Sequence, residues 1–332
     1  MVEKKRNPLF DNVRIVLICL VVFGHAIEQI RFDDKLFLGI YNFIYFFHMP
    51  LFVFCSGAFA KCDKKKIVKK YLIPYVVFQT LYGIFDVYVM KAEEFHFWES
   101  YYVLWYILAL AVWNFVLPLL KTGGERKKQM FWLLVSVAVG LLAGYVDWIG
   151  KAFSLSRILV FFPFFLAGYY VRQENLGSKL IEKGRICKEK AWVRVFCGAV
   201  LLTAFAGIYL ISPKINTWAL FGYTSYAFQG YTVYFRMIQY AMAAVCGILL
   251  FTILPGEKAY GTTLARNLMV VYYSHVPMIK CLEKAGVIKE LHNSTERFLY
   301  SVLVTILIIS VCTVVSAGVS RWKSHRQERK CK

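Results

Sequence analysis

Near its beginning the chain reads Arg14-Ile-Val-Leu-Ile-Cys-Leu-Val-Val-Phe-Gly-His25. An uncharged, almost wholly apolar run separates the two ionisable side chains of this stretch. Eleven steps are close to three turns of an α-helix, so both side chains are expected on one helix face, about 16 Å apart along the axis. Ionisable side chains are costly inside a bilayer and are usually functional there. The stretch therefore predicts a membrane-spanning helix that carries a fixed cation and a titratable base.

The composition extends this prediction to the whole chain. The 332 residues are 59% hydrophobic, and repeated apolar segments of about 20 residues are each long enough to cross a hydrocarbon core. We expect an all-α, polytopic integral membrane protein with about ten transmembrane helices, forming one membrane-embedded domain over residues 1–332 with no separate soluble domain. The predicted spans are roughly 13–31, 36–60, 71–90, 101–120, 130–149, 153–171, 195–211, 231–254, 264–281 and 298–320.

The distribution of basic residues predicts the orientation of these spans. With the N-terminus inside, 28 of the 40 Lys and Arg residues fall in inside segments and nine in outside segments. Lys and Arg accumulate in cytoplasmic segments, so both termini are expected in the cytoplasm, in a multi-pass protein of the plasma or inner membrane. The net charge of +20 then follows from topology, and no nucleic acid partner is expected. Arg31, Arg266 and Lys280 lie at span ends and are counted with the adjoining segments. The remaining three basic residues, Arg14, Arg157 and Arg236, lie within spans.

Three of the six histidines, namely His25, His48 and His275, fall near the middle of predicted spans. A single such histidine would be explained by helix packing as readily as by a functional role. Three at similar depth, one of them on the same helix face as an arginine, favour a polar cavity. No two of the three share a helix at the spacing of metal ligands, so no metal site is expected.

Two further charged residues have both a structural and a functional interpretation. Glu28 follows His25 by three residues, where it would hydrogen-bond the imidazole and raise its basicity; the alternative is that it faces the outer water. Arg157 lies near the outer end of the sixth span, where it would either extend to the interface or hold a polar acceptor.

A basic run from Lys61 to Lys70 stands at the cytoplasmic end of the third span. Such runs usually set topology or contact anionic lipid. The run would also bind the phosphates of a cytosolic nucleotide cofactor. The charge of the run, taken alone, favours contact with lipid over binding of a cofactor.

Taken together, the motifs resemble those of the membrane-bound acyltransferase family 3, and in particular its branch similar to fucose 4-O-acetylases. The Arg14-x10-His25 spacing is similar to the family's Arg/Lys-x10-His motif. It is followed in order by FFHMPLF (46–52), SG (56–57), KKYLIPY (69–75), LWYILAL (104–110), RILVFFPFF (157–165) and YYSH (272–275). The resemblance covers nearly the whole chain.

The resemblance implies an O-acyltransferase that takes an acyl group, typically acetyl, from cytosolic acetyl-CoA to a hydroxyl of a cell-envelope carbohydrate or lipid-linked sugar. His25 matches the family's essential histidine and Arg14 its motif arginine, with Glu28 as a further catalytic candidate. Arg14, Lys69 and Lys70 are the candidate CoA-binding residues, although the family usually has arginines where the two lysines stand. The candidate substrate-binding residues are His48, Trp105, Arg157 and His275. Membrane lipids are the other expected partners.

Two other functions fit spans that contain histidine and arginine. A transporter or exporter of a polysaccharide or lipid-linked sugar would move an unmodified substrate and would need no acyl-CoA. A structural or regulatory membrane subunit would tolerate the loss of His25. Whether His25 acts as a base or is transiently acylated is left open by the sequence.

Overall fold

The computed structural model describes residues 7–173, 191–256 and 262–330. These residues contain no β-strand, apart from one isolated bridge between Glu99 and Ala152. The principal helices are α1 (Pro8–Ala26), α2 (Lys35–Ala58), α3 (Lys64–Met90), α4 (Trp105–Leu120), α5 (Arg126–Tyr145), α6 (Leu155–Gln173), α7 (Ala191–Lys214), α8 (Val233–Ile253), α9 (Thr262–Lys284) and α10 (Ser294–Lys330). The prediction of an all-α polytopic membrane protein is confirmed.

Eight of the described helices are long and apolar enough to cross a membrane. The predicted fourth and ninth spans correspond to α4 and α9, which are not among the eight. Helix α4 is a shorter apolar helix. Helix α9 has 23 residues, but its last turns carry Lys280, Glu283 and Lys284, which lower its hydropathy. The predicted inside loop 172–194 lies largely outside the described residues.

Helix α1 begins and ends earlier than the predicted span 13–31. The side chain of Asn7 accepts a hydrogen bond from the backbone N–H of Leu9 at 3.1 Å and caps the helix, with Pro8 in the first turn. This combination starts a helix because it satisfies one of the unpaired N–H groups and fixes φ. The helix ends at Ala26. His25 therefore lies in the last turn of α1, and not near the middle of a span as predicted.

Two compact units are distinguished within the chain. The first comprises Met1–Phe37 and Leu254–Lys332. In it, α1 packs against α9 and α10 through buried aliphatic side chains such as Leu17 and Val21. The side-chain amide of Asn12 donates to the carbonyl of Pro255 at 2.9 Å, which ties the start of α1 to the segment before α9.

The second unit comprises Leu38–Ile253, and its core contains a close crossing of α2 and α6. A Cβ atom built on Gly57 would overlap the carbonyl oxygen of Phe165, and one built on Gly168 would overlap that of Phe54. Glycine at both positions lets the two backbones approach to contact distance, as small residues do between membrane helices. The small residues at 56–57 are a local signal for such an approach, but the partner Gly168 could not be read from the sequence, because the crossing depends on packing between distant segments.

Replacing Gly57 by alanine is expected to destabilise the protein by about 1–3 kcal/mol, because the added methyl group must push the two backbones apart. Thermal unfolding of the purified protein in detergent measures the effect. Gly198→Ala is the matched control: it also lies in an apolar helix, and a Cβ there would meet no atom within 4 Å. The control should unfold at the wild-type temperature or above it. Equal unfolding temperatures for both variants would contradict the close crossing.

Candidate functional site

The first unit places His25 beside a carboxylate at the end of α1. The Nδ1 atom of His25 lies 3.2 Å from Oε2 of Glu28, three residues further along the chain. Both side chains are mostly buried, with 15% and 18% of their surface exposed. The chain turns after Ala26, which directs Glu28 back toward the imidazole. The predicted pairing of these two residues is therefore present.

Helix α9 brings a second histidine to the same place. The ring centroids of His25 and His275 are 5.2 Å apart. His275 is fully buried, and its Nδ1 lies 3.0 Å from the carbonyl oxygen of Val271, one turn earlier. Among the described residues, its Nε2 has no hydrogen-bond partner. Two of the three histidines singled out in the sequence thus form a pair within one unit.

The hydrogen-bond partners determine which nitrogen of each ring carries the proton in the neutral form. A carboxylate and a carbonyl oxygen only accept hydrogen bonds, so Nδ1 of His25 donates to Glu28 and Nδ1 of His275 donates to Val271. The lone pair of each neutral ring is then on Nε2. The tautomers follow from this network, since hydrogen atoms are not observed directly. Each neutral ring therefore has an unprotonated Nε2, which can accept a proton or a hydrogen bond.

Basic side chains surround the carboxylate of Glu28. Burial raises the pKa of this group, but the hydrogen bond from His25 and the charges of His25, Lys280 and Arg31 outweigh burial and hold the pKa below its ordinary value. Glu28 therefore stays ionised at neutral pH. Lys280 is itself 3.3 Å from Glu283 in the last turns of α9. The histidine pair thus borders a group of alternating charges.

Arg14 lies on α1 with a partner that the sequence analysis did not consider. Its guanidinium forms an ion pair with Asp11, one turn earlier, and its Nε lies 3.4 Å from the carbonyl oxygen of Phe10. Asp11 is buried, whereas Arg14 is partly exposed. The ion pair fixes the direction of the guanidinium and offsets part of its charge. Arg14 and His25 share one face of α1, about 16 Å apart along the axis.

The second unit brings Arg157 and Trp105 together. The guanidinium of Arg157 lies over the ring of Trp105, at 5.2 Å from its centroid, and over that of Tyr223, at 5.0 Å. Its Nε donates to the carbonyl oxygen of Phe221 at 3.1 Å. These contacts fix a planar cation between two aromatic faces. The two predicted substrate-binding residues are therefore neighbours.

His48 is buried in α2, also in the second unit. Its Nδ1 donates to the carbonyl oxygen of Ile44 at 2.8 Å, and its ring lies 4.6 Å from that of Tyr45. Tyr45 in turn contacts Phe221 with a centroid distance of 5.2 Å. Tyr45 and Phe221 thus connect His48 to Arg157 through a chain of contacts.

Lys69 and Lys70 lie in a wide helical turn, Val68–Leu72, within α3. Both lysines are exposed, and the ammonium group of Lys70 lies 5.1 Å from the ring centroid of Tyr71. The two charges are available to a large anion or to lipid headgroups. Their exposed position fits both binding of cofactor phosphates and contact with anionic lipid.

Three charged residues near the histidine pair were missed by sequence reasoning: Arg31, Lys280 and Glu283. Lys280 and Glu283 have the spacing of a helical ion pair, a signal that was present in the sequence. Their proximity to Glu28 had no signal in the sequence, because it depends on how α9 packs against α1. Asp11 also had a local signal, because it precedes Arg14 by three residues.

The chemistry available to the histidine pair is acid–base chemistry. A neutral imidazole whose Nδ1–H is held by an ionised carboxylate is oriented to take a proton at Nε2, and the carboxylate stabilises the imidazolium that forms. Among the residues described, no group of three or more His, Cys, Asp or Glu side chains is arranged to hold a metal ion.

Fold and site together define a polytopic helical membrane protein with a mostly buried histidine held by a carboxylate. A family model described as an acyltransferase domain, that of acyltransferase family 3, matches residues 7–317. The chain belongs to this family, as its motifs indicated, and it is a multi-pass membrane acyltransferase by that membership. In the other two comparisons, no curated protein and no solved structure matches the chain.

Proposed function

We propose that the protein is an O-acyltransferase of the plasma or inner membrane. It moves an acyl group, preferably acetyl, from cytosolic acyl-CoA to a hydroxyl of a cell-envelope carbohydrate or lipid-linked sugar. The observation that carries the proposal is the hydrogen bond between His25 and Glu28 in a chain of the acyltransferase family. Transfer to a hydroxyl needs a base that removes the hydroxyl proton, and this pair supplies one.

In the proposed reaction, Nε2 of His25 takes the proton of the acceptor hydroxyl as its oxygen attacks the thioester carbonyl carbon. The carbon–sulfur bond then breaks, and the CoA thiolate leaves with the electron pair of that bond. The imidazolium of His25 returns the proton to the thiolate, which regenerates the neutral ring. The products are the O-acyl ester and free CoA.

Glu28 orients His25 and does not react itself. Its charge keeps the proton of the neutral ring on Nδ1 and stabilises the imidazolium during transfer. His275 is proposed to contact the acceptor, since its neutral Nε2 can accept a hydrogen bond from a sugar hydroxyl. Full burial of His275 disfavours its charged form, which suits an accepting role.

Arg14, Lys69 and Lys70 are proposed to bind the phosphates of acyl-CoA. The ion pair with Asp11 holds Arg14 in one direction, although it lowers the net charge offered to a phosphate. Lys69 and Lys70 are exposed cations, which act as point charges on flexible stems. In the second unit, His48, Arg157 and Trp105 are proposed to bind the carbohydrate, through the aromatic surface of Trp105 and the fixed cation beside it.

Replacing His25 by alanine is expected to lower kcat/KM for acyl transfer by about 10²–10⁴, the usual contribution of a general base. Glu28→Gln should cause a smaller loss, because the amide oxygen still accepts from Nδ1–H but no longer stabilises the imidazolium. The measurement uses the protein in proteoliposomes with radiolabelled acetyl-CoA and a cell-envelope extract, and follows label transfer and CoA release.

The control for these variants is His292→Ala, which removes an exposed histidine of the same unit and should keep wild-type activity. Thermal unfolding shows whether each variant is folded. Equal transfer by folded His25→Ala and wild type would contradict the proposed base. Movement of unmodified glycan without consumption of acetyl-CoA would instead favour a transporter.

Replacing Lys69 and Lys70 together by alanine is expected to raise KM for acetyl-CoA by about tenfold, while kcat changes little, because charged contacts to phosphate are lost. Acetyl-3′-dephospho-CoA identifies the contact: wild type should bind it more weakly than acetyl-CoA, and the double variant should discriminate less between the two. Lys64→Ala/Lys65→Ala, in the same exposed basic run, is the matched control. An equal rise in KM for the control would indicate a diffuse effect of charge at the membrane surface.

A further inference from the structure

The second unit contains a buried arginine that the proposed acyl transfer does not use. Arg236 lies in the first turn of α8, and none of its surface is exposed. One guanidinium nitrogen, Nη2, donates to the hydroxyl of Tyr231. The other two, Nε and Nη1, have no acceptor in the part of the chain that the structure describes. The cation is therefore only partly satisfied by the protein.

No carboxylate compensates the charge of Arg236 among the described residues, since none forms an ion pair with it. Arginine keeps its proton in proteins, so deprotonation does not relieve the cost of burying this cation. The neighbouring phenol of Tyr226 is not an anion either, because burial raises its pKa to about 12 although the charge of Arg236 acts in the opposite direction. A buried cation without a counter-ion carries a large free-energy penalty.

The backbone oxygens of the segment that contains Gly222 accept hydrogen bonds from other side chains. The carbonyls of residues 220–222 accept from Gln239 at 2.9 Å, from Arg157 at 3.1 Å and from Ser156 at 2.9 Å. These bonds fix the segment beside Arg236 and direct its oxygens to partners other than that guanidinium.

A glycine keeps the position next to Nη1 clear of any side chain. Gly222 has a φ of +67°, and a Cβ atom built on it would lie 2.8 Å from Nη1 of Arg236. Two other buried polar atoms of this region, Oγ1 of Thr224 and Oε1 of Gln239, also have no partner among the described residues. Gln239 follows Arg236 by three residues and shares its helix face. We call Gly222, Thr224, Tyr231, Arg236 and Gln239 the Arg236 cluster.

We propose that the Arg236 cluster is a binding site for an oxyanion, either a carboxylate or a phosphate group of a ligand. The guanidinium would donate from Nη1 to an anionic oxygen in the space beside Gly222, in a charge-assisted hydrogen bond of the kind that arginine forms with these groups. The hydroxyl of Thr224 would donate to the same group, and Oε1 of Gln239 would accept from a neighbouring hydroxyl of the ligand. An acidic sugar and a lipid phosphate both offer this chemistry.

The experiment measures thermal unfolding of the full-length protein in detergent by tryptophan fluorescence. The additions are inorganic phosphate, acetate or chloride at equal ionic strength. Ligands that bind only the folded state raise the apparent Tm, so phosphate or acetate should raise it by about 3 °C or more relative to chloride. Arg236→Met should abolish that rise. Without added anion it should be at least as stable as wild type, because an uncompensated buried cation is removed.

The control is Arg194→Met, which removes an exposed arginine from α7 and should keep the wild-type response. If Arg236→Met does not fold, Arg236→Lys replaces it: it keeps the charge without the planar donor arrangement, and its response should be smaller. Nanodiscs with and without phosphatidylglycerol separate the sources, since stabilisation only by this lipid assigns the oxyanion to a headgroup.

Two outcomes would overturn the site. An absence of any anion-dependent rise in the wild-type protein would show that the cluster does not bind an oxyanion. Equal rises in wild type and in the folded Arg236 variant would show a general salt effect on folding. Because the readout is stability, it is independent of whether the proposed acyl transfer is correct.

Discussion

The hydrogen bond between His25 and Glu28 is the interaction on which the proposed chemistry depends. An apolar helix tolerates an ionisable side chain only when a partner or water satisfies it. At the end of α1 the partner is a carboxylate three residues away, at 3.2 Å, and nearby cations keep that carboxylate ionised. The same bond leaves the lone pair of the imidazole on Nε2. The same carboxylate therefore satisfies the mostly buried imidazole and sets which of its nitrogens is unprotonated.

Other charged groups of the first unit also have a partner of opposite charge. Arg14 is paired with Asp11, Lys280 with Glu283, and Asp34 lies 3.8 Å from Arg297. Arg236 in the second unit differs, since the described residues provide it with a phenol and no carboxylate. Within the described residues, the charge of the fully buried Arg236 is offset by no carboxylate, and a ligand that supplied the missing negative charge would stabilise it.

Much of the fold followed from hydropathy, because spans of about 20 apolar residues have few alternatives to helices in a bilayer. The pairing of His25 with Glu28 also followed from spacing along the chain. Two other contacts did not follow from spacing along the chain, since each depends on packing between segments far apart in sequence: that of His25 with His275 and that of Arg157 with Trp105. The predicted first span was wrong at both ends: Asn7 and Pro8 start α1 earlier than hydropathy indicated, and α1 ends at Ala26, which places His25 in its last turn. Helix caps are local polar signals that an average over apolar residues does not register.

In the proposed reaction, acyl transfer takes place at the His25–His275 pair. The most direct test is photolabelling of the full-length protein in proteoliposomes with an acyl-CoA analogue that carries a diazirine in its acyl group, followed by peptide mapping. Labelled residues are expected in the last turn of α1 or around His275 in α9, and excess acetyl-CoA should remove that label. Label that acetyl-CoA displaces but that maps only to residues 38–253 would show that transfer does not take place at the histidine pair.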